Sequence, residues 1–140
     1  KKRGRRDCKT MGRRLAAQGV CPDLILTSPA TRAQKTAQLI AAEVGCGRLE
    51  CVDRLYPGSV SIYLDCLETA CRSADCIFMV AHNYGLTELA WYLTGQEFSN
   101  VVTSGVVGIL FDSGFARTEG AGRLLFYDYP KKCDGSLDQS

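Results

Sequence analysis

The sequence is poor in several features that would fix a function at once. Its 140 residues include a single histidine, His82. No apolar run approaches the roughly 18 residues that a transmembrane helix needs, and no signal peptide is recognisable. We therefore expect a cytoplasmic protein with no membrane partner. Chemistry that needs two histidines cannot be completed by these residues alone.

Cysteine is abundant, but no two cysteines form a C-x-x-C pair, and one histidine cannot complete a mixed Cys/His zinc set. The sequence therefore predicts no metal site. Several cysteines fall within apolar patterns, where a free thiol behaves as a small hydrophobe. We expect most of them to be reduced core residues. A disulfide framework is the alternative, although a chain of this size does not need one. The eight positions are 8, 21, 46, 51, 66, 71, 76 and 133.

Charge is balanced overall but concentrated at the start of the chain. The net charge is +2, whereas residues 1–14 alone carry +7. Such a segment can attract nucleic acid or phosphorylated partners. A solvated helix face is the simpler interpretation, and no aromatic residues alternate with the basic ones as in single-strand binding sites. We expect no nucleic-acid partner.

The hydrophobic pattern predicts one domain over residues 1–140, with a loose polar tail over 131–140. Helices are expected over residues 7–18, 28–44, 59–71 and 86–94, and strands over 24–26, 49–52, 76–81, 105–111 and 123–129. Gly45 is expected to end the second helix. The apolar stripes expected on the first three helices are Cys8, Met11 and Leu15, then Ala33, Ala37, Ile40, Ala41 and Val44, and then Val60, Leu64, Leu67 and Cys71. The last two strands are typical of a hairpin at a sheet edge. The alternation predicts an α/β fold with three α/β/α layers and a mostly parallel central sheet. A doubly wound domain ordinarily opens with a central strand, whereas a helix comes first here.

Two junctions between a strand and a helix carry residues suited to an anion. Ser28 and Pro29 are expected to cap and start the second helix, with Arg32 in its first turn. Backbone N–H groups and the helix dipole favour an anion there, and an arginine adds a bidentate grip. From spacing alone, a surface arginine paired with a carboxylate is equally consistent.

His82 ends the strand predicted over residues 76–81. Ligands bind at the carboxyl ends of strands in open α/β sheets, and a histidine there can bind phosphoryl oxygens or transfer a proton. A buried histidine with a backbone partner is equally consistent by itself. Arg32 and His82 together are more informative, because both strand ends can converge on one anion. Asn83 can orient the loop or donate a hydrogen bond.

These residues lie in two motifs, S-P-x-x-R-A-x-x-T-A at 28–37 and H-N-x-G-L at 82–86. In this order and spacing, the chain resembles the histidine phosphatase superfamily (phosphoglycerate mutase-like), and within it the SixA-type phosphohistidine phosphatases. The resemblance covers nearly the whole chain and includes residues 3–7, 11–15 and 92–95.

The resemblance implies a phosphatase that needs no metal or cofactor and forms a phosphohistidine intermediate. Its substrate would be a phosphohistidine protein or a small phosphoester. Arg32 matches the family's second catalytic arginine and His82 its second catalytic histidine, while Ser28 and Asn83 are candidate substrate-binding residues. Covalent catalysis divides one difficult step into two, and fixed cations stabilise the charge on the transferred group.

The chain departs from the family pattern in three places. The Arg-His strand that carries the nucleophile is absent, so we expect a truncated N-terminus with the nucleophile among roughly 20–30 residues upstream of Lys1, in line with a βα unit of about 30 residues or more. Ala81 and Tyr84 replace the usual Gly and Pro around His82, and Tyr84 can narrow the pocket. Many members of the family place a general-acid carboxylate near the position of Leu55-Tyr56-Pro57, where this chain has none. This absence fits a phosphohistidine substrate, whose leaving imidazole needs little acid assistance. The alternative is an inactive relative that binds phosphate or a phosphoprotein.

Overall fold

The computed structural model describes residues 2–132. Residues 133–140, most of the predicted tail, lie outside the described residues, as does Lys1. None of the helices described is both long and apolar enough to cross a membrane. The elements are α1 (Lys2–Ala17), β1 (Leu24–Thr27), α2 (Thr31–Val44), β2 (Leu49–Cys51), a 3-10 turn (Asp53–Leu55), α3 (Val60–Ala70), β3 (Ile77–Val80), α4 (Gly85–Thr94), β4 (Val106–Leu110) and β5 (Arg123–Asp128).

The strands form two sheets. The first is parallel, with the order β2-β1-β3, and pairs Ile25 with Leu49 and Phe78 on its two sides. The second is the antiparallel β4-β5 hairpin, whose register shifts between Gly108 and Ile109. The predicted α/β fold with a parallel sheet and a hairpin is confirmed. Within residues 2–132 the hairpin is a sheet of its own and does not hydrogen-bond to the parallel sheet.

Both sheets nevertheless occupy one layer between the same helices. On one side, Phe78 of β3 and Val106 of β4 pack against a buried cluster of α1 and α2, formed by Leu15, Ile40 and Val44. On the other side, Met79 and Ile109 pack against a cluster from α3 and α4 that includes Leu64, Leu89 and Leu93. Successive strand residues point to opposite faces, and both β3 and the hairpin pack one face on each of the two helix clusters. The two therefore lie side by side in one layer, although no backbone hydrogen bonds pair their strands.

Two predicted helix starts are wrong. The first helix begins at Lys2 rather than Asp7, because its basic side chains are good helix formers that remain in solvent while Cys8, Met11 and Leu15 are buried as expected. The second begins at Thr31, after Ser28 and Pro29, and its start has no side-chain cap. It ends at Gly45 in the left-handed conformation (φ 76°), as predicted.

The prediction that most cysteines are core residues is wrong. The seven cysteines described have free thiols, but only Cys8 and Cys66 are buried, and Cys21 and Cys51 are exposed. Desolvation raises the pKa of the Cys66 and Cys76 thiols. The apolar pattern failed because cysteine is small enough to occupy half-exposed positions at little cost.

Asp23 fastens the start of β1 to the loop that precedes β3. Its carboxylate accepts hydrogen bonds from the backbone N–H groups of Asp75 (3.0 Å) and Cys76 (2.9 Å). The hydrogen bonds from Cys76 and Asp75 lower the pKa of Asp23. A carboxylate whose folded pKa is depressed stabilises the protein above its unfolded pKa of about 3.9, and this stabilisation is lost as pH falls through the folded pKa.

We therefore expect Asp23→Ala to lower the melting temperature at pH 7, and the difference from the parent to narrow as pH falls below about 4. Melting curves recorded across pH 2–7 measure this. Asp75→Ala is the matched control, because it removes an exposed carboxylate but keeps the backbone donor. A difference in melting temperature between Asp23→Ala and the parent that stays constant across the pH range would contradict the role assigned to the Asp23 carboxylate.

Candidate functional site

The candidate site lies where the connections of two neighbouring strands diverge. β1 leads into α2 on one face of the sheet, whereas the adjacent β3 leads into α4 on the other. In α/β sheets this divergence opens a crevice outside the carboxyl ends of the strands, where ligands bind. Ser28 directly follows β1, and His82 follows β3 after a single residue.

Ser28 and His82 are in direct contact. The Ser28 hydroxyl lies 2.7 Å from Nε2 of His82 and accepts a hydrogen bond from the Ala30 backbone N–H at 3.1 Å. Ser28 is fully buried, and His82 is half-buried. A hydroxyl that already accepts one hydrogen bond can still donate its proton to a neutral ring or accept one from a protonated ring. Ser28 does not cap α2, because the helix begins at Thr31 and Ala30 occupies the cap position.

Two tyrosines that the sequence did not single out hold the His82 loop. The Tyr56 ring meets the imidazole edge-on, with centroids 5.2 Å apart. Tyr63 is fully buried, and its hydroxyl donates to the His82 carbonyl at 3.4 Å. Desolvation raises the pKa of Tyr63, so the hydroxyl stays neutral and keeps its proton.

A signal for Tyr63 was present in the sequence. The buried stripe of α3 consists of Tyr63, Leu64, Cys66 and Ala70, which follow helical spacing. The stripe predicted instead (Val60, Leu64, Leu67 and Cys71) is rotated from the true one, and only its Leu64 is buried. For Tyr56, the one available signal was its place in the Leu55-Tyr56-Pro57 segment, where the family resemblance implies a general-acid carboxylate in many members.

Asn83 is tied to the protein on both sides of its amide. The side-chain N–H2 donates to the Val101 carbonyl and to the Asn100 side chain (3.2 Å), while the oxygen accepts from the backbone N–H and hydroxyl of Thr87 (3.2 and 2.8 Å). These bonds fit the loop-orienting role suggested by the sequence. Direct contact of Asn83 with substrate stays a prediction.

Arg32 is exposed in the first turn of α2, at the same carboxyl end of the sheet as His82. No salt bridge or hydrogen bond engages its guanidinium within residues 2–132, so the alternative of a carboxylate-paired surface arginine is not seen in this part of the chain. The first amides of a helix also lack intrahelical acceptors. An unpaired cation, the first amides of a helix and an imidazole at the same end of a sheet are groups that suit a tetrahedral oxyanion.

Comparison with known proteins supports the resemblance seen in the motifs. Residues 1–56 match the family model of the histidine phosphatase superfamily (branch 1), a segment that includes Ser28, Arg32 and Tyr56 but not His82. No curated protein sequence matches the chain.

Solved structures match over most of the chain. The protein histidine phosphatase SixA complexed with tungstate aligns with a TM-score of 0.80 at 20% identity, covering 93% of this chain and 83% of that one. SixA from Agrobacterium tumefaciens gives 0.77 at 21% identity, with coverage of 93% and 82%. SixA from Nakamurella multipartitia gives 0.78 at 16% identity, with coverage of 91% and 82%. The chain thus has the fold of the SixA proteins, and its resemblance to the histidine phosphatase superfamily is confirmed.

Proposed function

We propose that the protein is a metal-independent phosphatase that acts on phosphohistidine in a protein substrate. The observation that carries the proposal is the Ser28–His82 contact at the divergence of β1 and β3, with Arg32 at the same end of the sheet and without an ion pair within residues 2–132. The tungstate complex of the SixA neighbour adds support, since tungstate is a tetrahedral oxyanion with the shape of phosphate.

His82 would present a proton to the phosphoryl group. When the Ser28 hydroxyl donates to Nε2, the neutral ring carries its own proton on Nδ1, because the hydrogen bond at one ring nitrogen sets the tautomer of the other. The Nδ1–H then becomes a donor to an oxygen of the transferring group. Arg32 would hold two further oxygens through its fork of N–H groups.

The nucleophile would be a histidine upstream of Lys1, as the family resemblance implies. Among the strands that the structure describes, β3 pairs on one side only, with β1, and the hairpin beside it is a separate sheet. A strand inserted between β3 and the hairpin would join the two sheets. If parallel to β3, it would end beside His82, so a histidine at its carboxyl end would face the crevice.

The reaction then runs in two balanced steps. The nucleophilic nitrogen attacks phosphorus and forms an N–P bond as the N–P bond to the substrate imidazole breaks, and that imidazole takes up a proton from solvent as it leaves. The oxygen of a water molecule then bonds to phosphorus as the N–P bond of the phosphoenzyme breaks, which restores the nucleophile, and the released inorganic phosphate returns a proton to solvent. Tyr56 lies in the segment where, as the family resemblance implies, many members carry a general acid, and its lack of a carboxylate suits a substrate with a good leaving group.

The test is phosphate release by the protein that includes its upstream segment, with a phosphohistidine protein and a sugar phosphate as substrates. We expect turnover of phosphohistidine that is unchanged by EDTA, and much slower turnover of the sugar phosphate. Preference for the sugar phosphate would overturn the substrate assignment. Saturable binding of phosphate or tungstate with no turnover of either substrate would overturn the enzyme and favour an inactive phosphate-binding relative.

A further inference from the structure

A groove of about 380 Å³ runs along the outer face of α4. One wall of the groove is a single face of α4, formed by Tyr84 just before the helix and by Glu88, Trp91 and Tyr92 within it. The other wall is lined by Glu119 from the β4–β5 connection. Apart from Tyr84, which directly follows Asn83 and is expected from the sequence to narrow the pocket, these residues lie on elements other than those that carry His82 and Arg32 or further along α4. The groove therefore needs an explanation of its own.

The far wall is held in place by hydrogen bonds. The Gly120 and Gly122 backbone N–H groups donate to the carbonyls of Tyr92 and Leu93, each at 2.8 Å. The Tyr92 hydroxyl donates to the Arg117 carbonyl at 2.9 Å. These bonds fix the segment that carries Glu119 against α4, so the groove is formed before any ligand arrives.

The lining combines exposed aromatic rings with negative charge. Tyr84 is 48% exposed and Trp91 40%, and both Glu88 and Glu119 lie in solvent. Neither carboxylate forms an ion pair with any residue in the described part of the chain. Arg117, although close in sequence to Glu119, pairs with Asp65 (2.7 Å) and Glu68 (3.1 Å) on α3. The groove thus keeps two unneutralised carboxylates on a chain of net charge +2.

Aromatic faces beside carboxylates complement a cation on an apolar stem. A ring attracts a cation through its quadrupole, and a lysine or arginine stem packs on apolar surface while its charged end meets the carboxylates. An acidic or purely apolar segment would leave the two carboxylates repelled or desolvated without a partner. The geometry points to a basic residue of a polypeptide as the occupant.

We propose that this groove binds a lysine or arginine side chain of the protein substrate, which makes it a specificity site for the phosphatase proposed above. The groove starts at Tyr84, two residues after His82, and continues to Tyr92. Eight residues of helix span about 12 Å at 1.5 Å per residue, the reach of roughly three to four residues of extended peptide. The basic residue therefore lies within about four positions of the phosphorylated one.

Trp91 is the only tryptophan in the chain, so its fluorescence reports on this groove directly. An unphosphorylated peptide that contains one lysine is titrated into the protein, and the same peptide with norleucine serves as the ligand control. We expect a saturable change with the lysine peptide that weakens as salt rises. Replacing both carboxylates (Glu88→Gln with Glu119→Gln) should weaken binding about tenfold. Glu97→Gln removes an exposed carboxylate outside the groove and should leave binding unchanged.

Equal affinity for the norleucine peptide, or unchanged affinity in the double variant, would overturn the groove as a cation site. This readout needs no turnover, so it fails or succeeds independently of the proposed phosphatase. In the active protein, the double variant should raise KM for a substrate with a nearby lysine and leave kcat unchanged. Binding without any change in KM would overturn the link to the substrate.

Discussion

Replacing His82 by alanine is expected to lower phosphohistidine turnover by about 100- to 1,000-fold, the loss typical of a single preorganised donor to a transition-state oxygen. The reason is geometric. The imidazole is oriented by the Ser28 hydroxyl at 2.7 Å and by the edge of the Tyr56 ring, so its remaining ring nitrogen is fixed relative to the crevice. The measurement is kcat of the protein that includes its upstream segment, with thermal melting run in parallel to show that the fold persists.

Arg32→Ala is expected to give a loss of similar size for a separate reason. Arg32 supplies positive charge to the crevice, and its first-turn position adds this charge to the helix dipole. Arg72→Ala is the matched control, because Arg72 is equally exposed but lies in the turn after α3. If either His82→Ala or Arg32→Ala kept more than about half of the parental kcat, the corresponding residue would not act on the phosphoryl group.

Replacing Tyr63 by alanine is expected to reduce the free energy of unfolding by about 3–5 kcal/mol, as for other large aromatic side chains removed from a core. Tyr63 is fully buried and fills the space between the loop before α3 and the start of α4. A Cβ built on Gly58 would lie 2.5 Å from the Tyr63 ring, and one on Gly85 would lie 3.0 Å from it. The ring thus packs directly against the backbone of both segments, and its loss leaves a cavity that neither can close without moving.

The hydroxyl and the ring of Tyr63 can be separated by a second variant. Tyr63→Phe keeps the packing but removes the donor to the His82 carbonyl, so we expect a loss of only about 0.5–1.5 kcal/mol. Tyr56→Ala, at a side chain 60% exposed, is the control and should change stability by no more than about 0.5 kcal/mol. Urea denaturation monitored by circular dichroism measures all three. A loss below 1 kcal/mol for Tyr63→Ala would contradict the assigned packing.

Much of the fold could be predicted from periodicity, because the elements that form the core have strong local patterns. Ala33, Ala37, Ile40 and Val44 repeat at helical spacing and are buried in α2 as expected. Leu24 to Leu26 form a continuous apolar run and become a strand covered on both faces. In these segments local preference and tertiary packing favour the same structure.

The site was harder to predict because its residues serve partners that are distant in sequence. Ser28 before Pro29 has the local pattern of a helix cap, yet its hydroxyl bonds to His82, 54 positions away. Tyr56 and Tyr63 contact the same residue from other elements. Long-range contacts of this kind leave no periodic signal. The family motifs indicated Ser28, Arg32 and His82, but not the two tyrosines that contact His82.

The basic side chains of residues 2–14 fall into two groups, those in solvent and Arg14, a division that net charge alone does not predict. Most of these side chains lie in solvent on α1, in keeping with a solvated helix face. Arg14 differs, because it bonds to the Asp128 carboxylate (3.0 Å) and to the carbonyls of Tyr129 and Pro130. One arginine of the segment therefore anchors the end of β5 to the first helix.

The separation of the two sheets has a consequence for solubility. A strand with an unpaired backbone edge is a template for pairing with another chain and promotes aggregation, and β3 and the hairpin each present such an edge within residues 2–132. On the arrangement proposed above, one inserted strand would cover both edges and also deliver the nucleophile. Protection from self-association and catalytic competence would then depend on the same few backbone hydrogen bonds. Loss of that strand would make the protein aggregation-prone as well as inactive.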